Sequence, residues 1–313
     1  MIDISLKEAC RLLSENDNYV IYTHANPDGD TIGSGCALAL ILRSMGKNAV
    51  CTCFDAIPKR LSFLPTELFV PFPTDFSDFT PISVDIAGPK MLGGDAPEFL
   101  LSIDHHKVNT VMCKHRLLMS ELIAAGEIIY MLMDELGVAL TKEIALCLYT
   151  AICSDSGGFQ YDATRPETHI AAARCIETGI DFAYVNRMLF ECKTKGQLAL
   201  ERIAYNNLTF VCGGKYAYVF VTEEEFRQSG AEESDCGSLN SIPRQIEGVL
   251  ASGMIRVKNG VVKISLRSNV DIDVAAIAAS HGGGGHYHAA GFSLNTGMDE
   301  ARAVIEKIFT EIG

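Results

Sequence analysis

Four short apolar runs set the strongest limit on what this chain can fold into. "YVIYT" (19–23), "NAVCTCF" (48–54), "PISVDIA" (81–87) and "EFLLSID" (98–104) each read as a buried strand. Helical patterns accompany them at "SGCALALILRSMG" (34–46), closed by Gly46, and at "AGEIIYMLMDELG" (125–137). A third, "TKEIALCLYTAICS" (141–154), carries a Thr141 cap with Glu143 in its first turn. Strands alternating with helices predict an α/β fold, a mostly parallel sheet with helices on both faces. In such sheets ligands sit outside the carboxyl ends of the strands.

At 313 residues the chain is long enough for about two domains. After "DATRPETHIAAARCIETG" (162–179) the stretch "YVNRMLFECKTKGQLALERIAYNN" reads as one long connector helix. The strand-like segments "KYAYVFVT", "GVVKISLRS" and "AAGFSL" follow, with a helical pattern at 299–312. The expected layout is a first domain over 1–185, a connector helix over 186–206 and a smaller α/β domain over 207–313.

Composition narrows the function. Hydrophobic residues make up 48% of the chain, enough for buried cores. No apolar run reaches the ~18 residues of a membrane span, and "MIDISLKEACRLLSEN" does not read as a secretory signal. Eleven scattered cysteines predict a reduced, cytoplasmic protein without a structural zinc site. The net charge of -13 argues against binding long duplex nucleic acid. It leaves room for a small phosphorylated substrate where metal ions and local basic groups supply positive potential.

Three strand ends stop at metal-type ligands. "YVIYT" runs into His24, Asp28 and Asp30; "PISVD" ends at Asp85; "LLSIDHH" ends at Asp104, His105 and His106. Asp155, in "ICSDSGGF", is a further candidate where a helix meets a glycine turn. Taken singly, each reads equally well as turn chemistry, and Asp30, Thr31 or Ser34 could cap the next helix. Their joint occurrence at one sheet edge points instead to a metal centre. Carboxylate with imidazole suits Mn²⁺ or a related divalent ion. A bridging carboxylate would hold two such ions ~3.5–4 Å apart.

These segments resemble the four motifs of the DHH phosphoesterase family: "HANPDGDTIGS", the aspartate of "SVDIAG", "SIDHHKVN" and "YTAICSDSGGFQY". "GGGGHYHAAGF" resembles the signature of the partner domain, DHHA1. The resemblance implies that His24, Asp28 and Asp85 hold one Mn²⁺, and Asp30, Asp85, His105 and Asp155 the other, Co²⁺ or Mg²⁺ being alternatives. It gives His106 to the substrate phosphate, Asp104 to orienting the histidines, and catalysis to a water activated between the ions. It also implies an active site in a cleft between the domains and a possible homodimer. The branch it is similar to comprises oligoribonucleases and 3′-phosphoadenosine 5′-phosphate phosphatases, which act on very short substrates. The chain departs from that branch after His106, where only Asn109 of its usual pattern is kept, so the wall of the cleft there should differ.

In the second domain Gly282 should end a helix, leaving Gly283, Gly284, Gly285 and His286 to approach a phosphate closely. His281, His286 and His288 are an alternative metal set. In "GVVKISLRS", Val262, Ile264 and Leu266 alternate with Lys263, Ser265 and Arg267, so Arg267 lies on the polar face. By the resemblance Arg267 and Ser268 bind a second phosphate, with Arg244 and Asn109 as further substrate contacts. The expected activity is hydrolysis of oligoribonucleotides of a few residues, 3′-phosphoadenosine 5′-phosphate or linear dinucleotides. The competing readings are an inorganic pyrophosphatase or exopolyphosphatase, and a non-catalytic nucleotide sensor.

Overall fold

The computed structural model describes residues 1–72, 75–258 and 260–312. It divides into two compact units, Met1–Cys192 and Lys193–Gly313. In the first unit six strands form one sheet: β1 (Ile2–Asp3), β2 (Tyr19–Tyr22), β3 (Ala49–Thr52), β4 (Thr80–Val84), β5 (Phe99–Asp104) and β6 (Cys113–Leu118). Their order is β1-β6-β5-β4-β2-β3, and every pair is parallel. Strands β1 and β6 were not anticipated from the sequence.

The connection from β2 goes to β3 on one side, while β4 lies on the other. The loops leaving β2 and β4 therefore diverge, which opens a crevice at their carboxyl ends. Around the sheet run α1 (Leu6–Glu15), α2 (Gly29–Ser44), α3 (Ala125–Glu135), α4 (Lys142–Asp155), α5 (Pro166–Glu177) and α6 (Phe182–Asn186).

Strand β2 shows how the layers are assigned. Tyr19 and Ile21 pack with residues of α1 to α5, whereas Val20 and Tyr22 face the opposite way. That opposite face is covered by Phe72, Phe76, Phe79, Met91, Leu92 and Ala96, from the segments before and after β4.

Helix α2 begins five residues earlier than the apolar pattern indicates, because Asp28 caps it: its Oδ1 accepts from the Thr31 N–H at 3.0 Å. Thr141 caps α4 as expected. The single connector helix expected over 186–206 is interrupted. A π-helical turn at Arg187–Glu191 is followed by extended Cys192, and Thr194 then caps a new helix, α7 (Lys195–Asn206). Leu200 and Ala204 of α7 pack with Val219 and Val221, so this helix belongs to the second core.

The second unit holds β7 (Thr209–Val211), β8 (Tyr216–Val221), β9 (Ala251–Lys258), β10 (Val261–Ser268), β11 (Gly284–His286) and β12 (Ala289–Leu294). Its sheet order is β11-β12-β10-β9-β8-β7, antiparallel except for the β8–β9 pair. Helices α8 (Glu223–Ser229), α9 (Ser241–Arg244), α10 (Val274–Ser280) and α11 (Met298–Ile312) complete it. Along β10, Val262, Ile264 and Leu266 are buried and their neighbours are not, as the alternation required. Among the described residues no helix is long and apolar enough to cross a membrane.

Candidate metal centre

Each candidate ligand is delivered by the end of a strand or helix. His24 follows β2, Asp28 caps α2, and Asp30 lies in its first turn. Asp85 follows β4, His105 follows β5, and Asp155 closes α4. Gly29 makes the meeting possible: a Cβ there would come 2.6 Å from Ser154 Cβ, so only glycine lets α2 start against the end of α4.

The six side chains converge. His24 Nε2 lies 3.6 Å from Asp28 Oδ2 and 3.4 Å from Asp85 Oδ2. His105 Nε2 lies 3.4 Å from Asp85 Oδ1, 3.5 Å from Asp155 Oδ2 and 3.8 Å from Asp30 Oδ2. Ligand atoms of His24, Asp28 and Asp85 all fall within 4.8 Å of one another, as do those of Asp30, His105 and Asp155. Asp85 thus turns one oxygen towards each trio. Its backbone is left-handed at φ +60°, uncommon outside glycine, asparagine and aspartate, while its N–H still donates to Ile103 O at 3.0 Å.

Two buried atoms at the centre, Asp85 Oδ1 and His105 Nε2, have no hydrogen-bond partner among the described residues. Orphaned polar atoms in an interior are costly unless something absent from the polypeptide satisfies them. The hydrogen bonds around the site point the same way. His24 Nδ1 lies 2.8 Å from Ala25 O, and His105 Nδ1 3.3 Å from Leu122 O. A carbonyl only accepts, so each Nδ1 carries a proton, and Nε2 is the nitrogen left to give its lone pair to a cation once its own proton is displaced. Asp30 accepts from Ser34 Oγ (2.7 Å) and from Gly126 N (3.0 Å) at Oδ1, and from Ala125 N (2.7 Å) at Oδ2. The start of α3 therefore points its free N–H groups at a wholly buried carboxylate. This donor set fits divalent cations.

Charge within the cluster is strongly perturbed. Burial opposes a proton on His24, but Asp28 and Asp85 outweigh it and lift its pKa to about 11. Burial likewise opposes charge on His105, and Asp85, Asp30 and Asp155 carry it to about 10. Burial, together with the neighbouring carboxylates, pushes Asp155 well above the usual carboxylate range. Asp85 moves down instead, since His105 and His24 overcome its own burial.

His106 is held differently. Its Nδ1 lies 2.7 Å from Asp104 Oδ1, so that nitrogen is engaged although Asp85 Oδ1 is 3.8 Å away. Burial lowers the His106 pKa and Asp104 raises it, with a net upward shift. Asp104 also accepts the His105 N–H at 2.9 Å and Asn109 Nδ2 at 2.8 Å. Asn109, expected from the sequence as a substrate contact, is engaged within the protein here. It is 5% exposed; its amide donates to Asp104 and Ile86 O, and its oxygen accepts from Val111 N. It orients Asp104.

The sequence reading missed Glu127. This buried carboxylate accepts Ile123 N (2.9 Å) and Thr168 Oγ1 (2.7 Å), bracing the 122–126 turn that touches both His105 and Asp30. In the sequence it looks like an ordinary first-turn acid.

Arg267 is half-buried on β10, its Nη1 donating to Leu266 O at 2.8 Å. Ser268 Oγ donates to Ile272 O (2.9 Å) and lies 2.8 Å from His288 Nδ1, so its hydroxyl serves the β10–α10 corner. Arg244 is exposed at the end of α9. Gly282, at φ +77°, follows the end of α10 as expected. A Cβ on Gly283 or Gly285 would meet β12 backbone atoms at 2.2 and 2.5 Å, whereas Gly284 faces open space. Gly283 and Gly285 therefore serve sheet packing, whereas a side chain at Gly282 or Gly284 would meet nothing. His281 stacks on Phe292 at 4.6 Å; the His286 side chain lies outside the described residues.

Comparison with known proteins agrees with this geometry. Residues 18–152 match the DHH family N-terminal domain and residues 213–311 the DHHA1 domain. The chain is 32% identical over 304 residues to the bifunctional oligoribonuclease and PAP phosphatase NrnA of Thermus thermophilus, covering 93% of this chain and 89% of that protein. It is 25% identical to the NrnA protein of Mycoplasma genitalium, covering 92% of each. Among solved structures, an exopolyphosphatase-related protein from Bacteroides fragilis superposes with a TM-score of 0.89 at 25% identity, covering 98% and 95% of the two chains. With two domain matches in order, full-length relatives and a ligand cluster at the sheet's switch point, the chain belongs to the DHH/DHHA1 family of phosphoesterases.

Proposed function

We propose that this protein is a Mn²⁺-dependent phosphoesterase acting on very short phosphorylated nucleotides: RNA of a few residues, 3′-phosphoadenosine 5′-phosphate or a linear dinucleotide. The observation that carries this reading is the split of the Asp85 carboxylate, one oxygen towards His24 and the other towards His105. His24, Asp28 and Asp85 would hold one ion; Asp30, Asp85, His105 and Asp155 would hold the second. Two such ions supply Lewis acidity at phosphorus and a water that is nucleophilic near neutral pH.

The chain's own side chains do the rest. His106, kept upright and proton-rich by Asp104, presents its other ring nitrogen to a phosphate oxygen or to the departing alkoxide. Asn109 fixes Asp104, and through it both histidines. Arg267 and Gly284, with Arg244 and His286, are proposed contacts for a second phosphate on the second domain, taken as 207–313, the first being taken as 1–185. The relatives named as oligoribonuclease and PAP phosphatase support the substrate class. The eleven unpaired cysteines fit a reduced compartment, and we assign the protein to the cytoplasm, as a possible homodimer.

A second reading, hydrolysis of polyphosphate or pyrophosphate, is favoured by the name of the Bacteroides fragilis structure. One experiment separates the two. Purified protein with Mn²⁺ is offered a 5′-phosphorylated RNA dinucleotide, 3′-phosphoadenosine 5′-phosphate, linear di-AMP and pyrophosphate, alongside Asp85→Ala. Turnover of a nucleotide that vanishes in the variant is expected. Turnover of pyrophosphate alone would transfer the assignment, and metal binding without any turnover would make the protein a sensor.

A further inference from the structure

The turn after Asp155 is built in an unusual way. Gly157, Gly158 and Phe159 are consecutively left-handed, at φ +59°, +69° and +68°. For a phenylalanine that conformation is strained, and strain of this kind persists where the surroundings impose it. Here they do. Phe159 N–H donates to Ser156 Oγ (3.0 Å), and Gln160 and Tyr161 N–H both donate to Ser156 O. The Phe159 ring is wedged between Tyr149 and His169, with centroids at 6.3 and 5.0 Å.

The result is that two other rings are set outward beside a metal ligand. Tyr161 lies over Gly157, where a Cβ would be 2.6 Å from its ring; Phe190 lies over Gly158, where a Cβ would be 3.4 Å from its ring. Both stay substantially exposed, Tyr161 at 48% and Phe190 at 45%. Phe190 belongs to the π-helical turn Arg187–Glu191, and its neighbour Leu189 packs within 3.3 Å of a Cβ placed on Gly29, between Asp28 and Asp30. Turns of this π type recur at functional sites. An exposed aromatic alone is ordinary surface. Two of them, fixed on adjacent glycines and keyed to loops bearing Asp28, Asp30 and Asp155, are a placed surface.

We propose that Tyr161 and Phe190 form a stacking platform for a nucleobase of the substrate whose phosphate enters the metal centre. This deepens the functional reading above and rests on it. Any base has a face to stack, so the platform selects nucleotides over inorganic phosphates without selecting sequence. It also explains Gly157, where a side chain would displace the Tyr161 ring, while at Gly158 the left-handed backbone favours glycine and leaves Phe190 in ordinary contact.

The test compares wild type, Phe190→Ala, Tyr161→Ala and Phe190→Trp on two substrates of equal charge, an RNA dinucleotide and its abasic counterpart. Each alanine variant should raise KM for the dinucleotide roughly tenfold, with kcat little altered, and Phe190→Trp should restore it. On the abasic substrate KM should not change. An equal rise on both substrates would mean that the rings merely support the metal loops, and would overturn the platform; so would no change on either. Quenching of a 2-aminopurine dinucleotide on binding, read without turnover, keeps the two proposals apart. Quenching in wild type that is lost in Phe190→Ala supports the platform even if catalysis proves to lie elsewhere. Absence of quenching in wild type overturns it, even if the dinucleotide is hydrolysed.

Discussion

Asp28 answers two demands with one side chain: Oδ1 caps a helix while Oδ2 faces His24. Such economy is why single residues here read ambiguously in sequence yet unambiguously in space. The protonation state of the cluster yields a prediction at this scale. His24 and His105, with pKa values lifted to about 11 and 10, hold protons in metal-free protein at neutral pH. Cation binding must displace them, so Mn²⁺ affinity should rise at least tenfold from pH 6 to pH 8, with protons released on binding. Calorimetry in buffers of differing ionisation enthalpy measures this directly, and a pH-independent affinity would refute it. In metal-free protein the same raised values favour folding fully below about pH 6.5, and that contribution fades as pH climbs through 10 to 11. Asn109→Ala should leave the metal ligands in place but release Asp104, cutting activity about 10–100-fold with Mn²⁺ stoichiometry kept. The metal-type residues were legible because their side-chain chemistry is rare at strand ends. The role of Asn109 was not, because nothing in its neighbours shows that it is buried.

At the scale of elements, the centre depends on how closely α2, α3 and α4 approach. A Cβ on Gly33 would meet Cys147 O at 2.5 Å and the Ala151 N–H at 3.1 Å. Gly33→Ala should therefore push α2 from α4, costing about 1–3 kcal/mol in a denaturant titration and weakening Mn²⁺ binding, since Asp30 and Asp155 ride on those helices. Glu127→Ala removes the acceptor for Ile123 N–H and the Thr168 hydroxyl. A loss of about 1–3 kcal/mol is expected, with Glu127→Gln closer to wild type. If Glu127→Ala unfolds at the wild-type midpoint, the brace carries no weight. Strands β2 to β5 and helices α3 and α4 could be read from apolar runs and a cap. Strands β1 and β6 could not: β1 has two residues, and "CKHRLL" in β6 mixes charge with apolar side chains. The break at 192–194 was hidden for a similar reason, since every residue there tolerates a helix and only the Thr194 cap marks the new start.

For the whole molecule, what matters is where the chemistry resides. All six proposed metal ligands, the Asp104–His106 pair and the proposed stacking rings lie within residues 1–192, which carry hydrophobic clusters of their own. The second unit has separate cores, one built on β8 to β12 and α11 and one around α7. Metal binding and base stacking are thus proposed for the first unit, and contact with a second phosphate for the second. A polypeptide of residues 1–192 should fold cooperatively and bind Mn²⁺ with the stoichiometry and pH dependence of the full chain, because no proposed ligand is lost. Its turnover of an RNA dinucleotide should fall by a hundredfold or more if Arg267 and Gly284 contact the distal phosphate, since a charge-assisted contact of that kind contributes about 1.5–3 kcal/mol and two are removed. Metal titration and dinucleotide kinetics on the same preparation decide the matter. Retained turnover would place recognition in the first unit alone, whereas a fragment that folds but binds no Mn²⁺ would show that the ligand set is incomplete without residues 193–313.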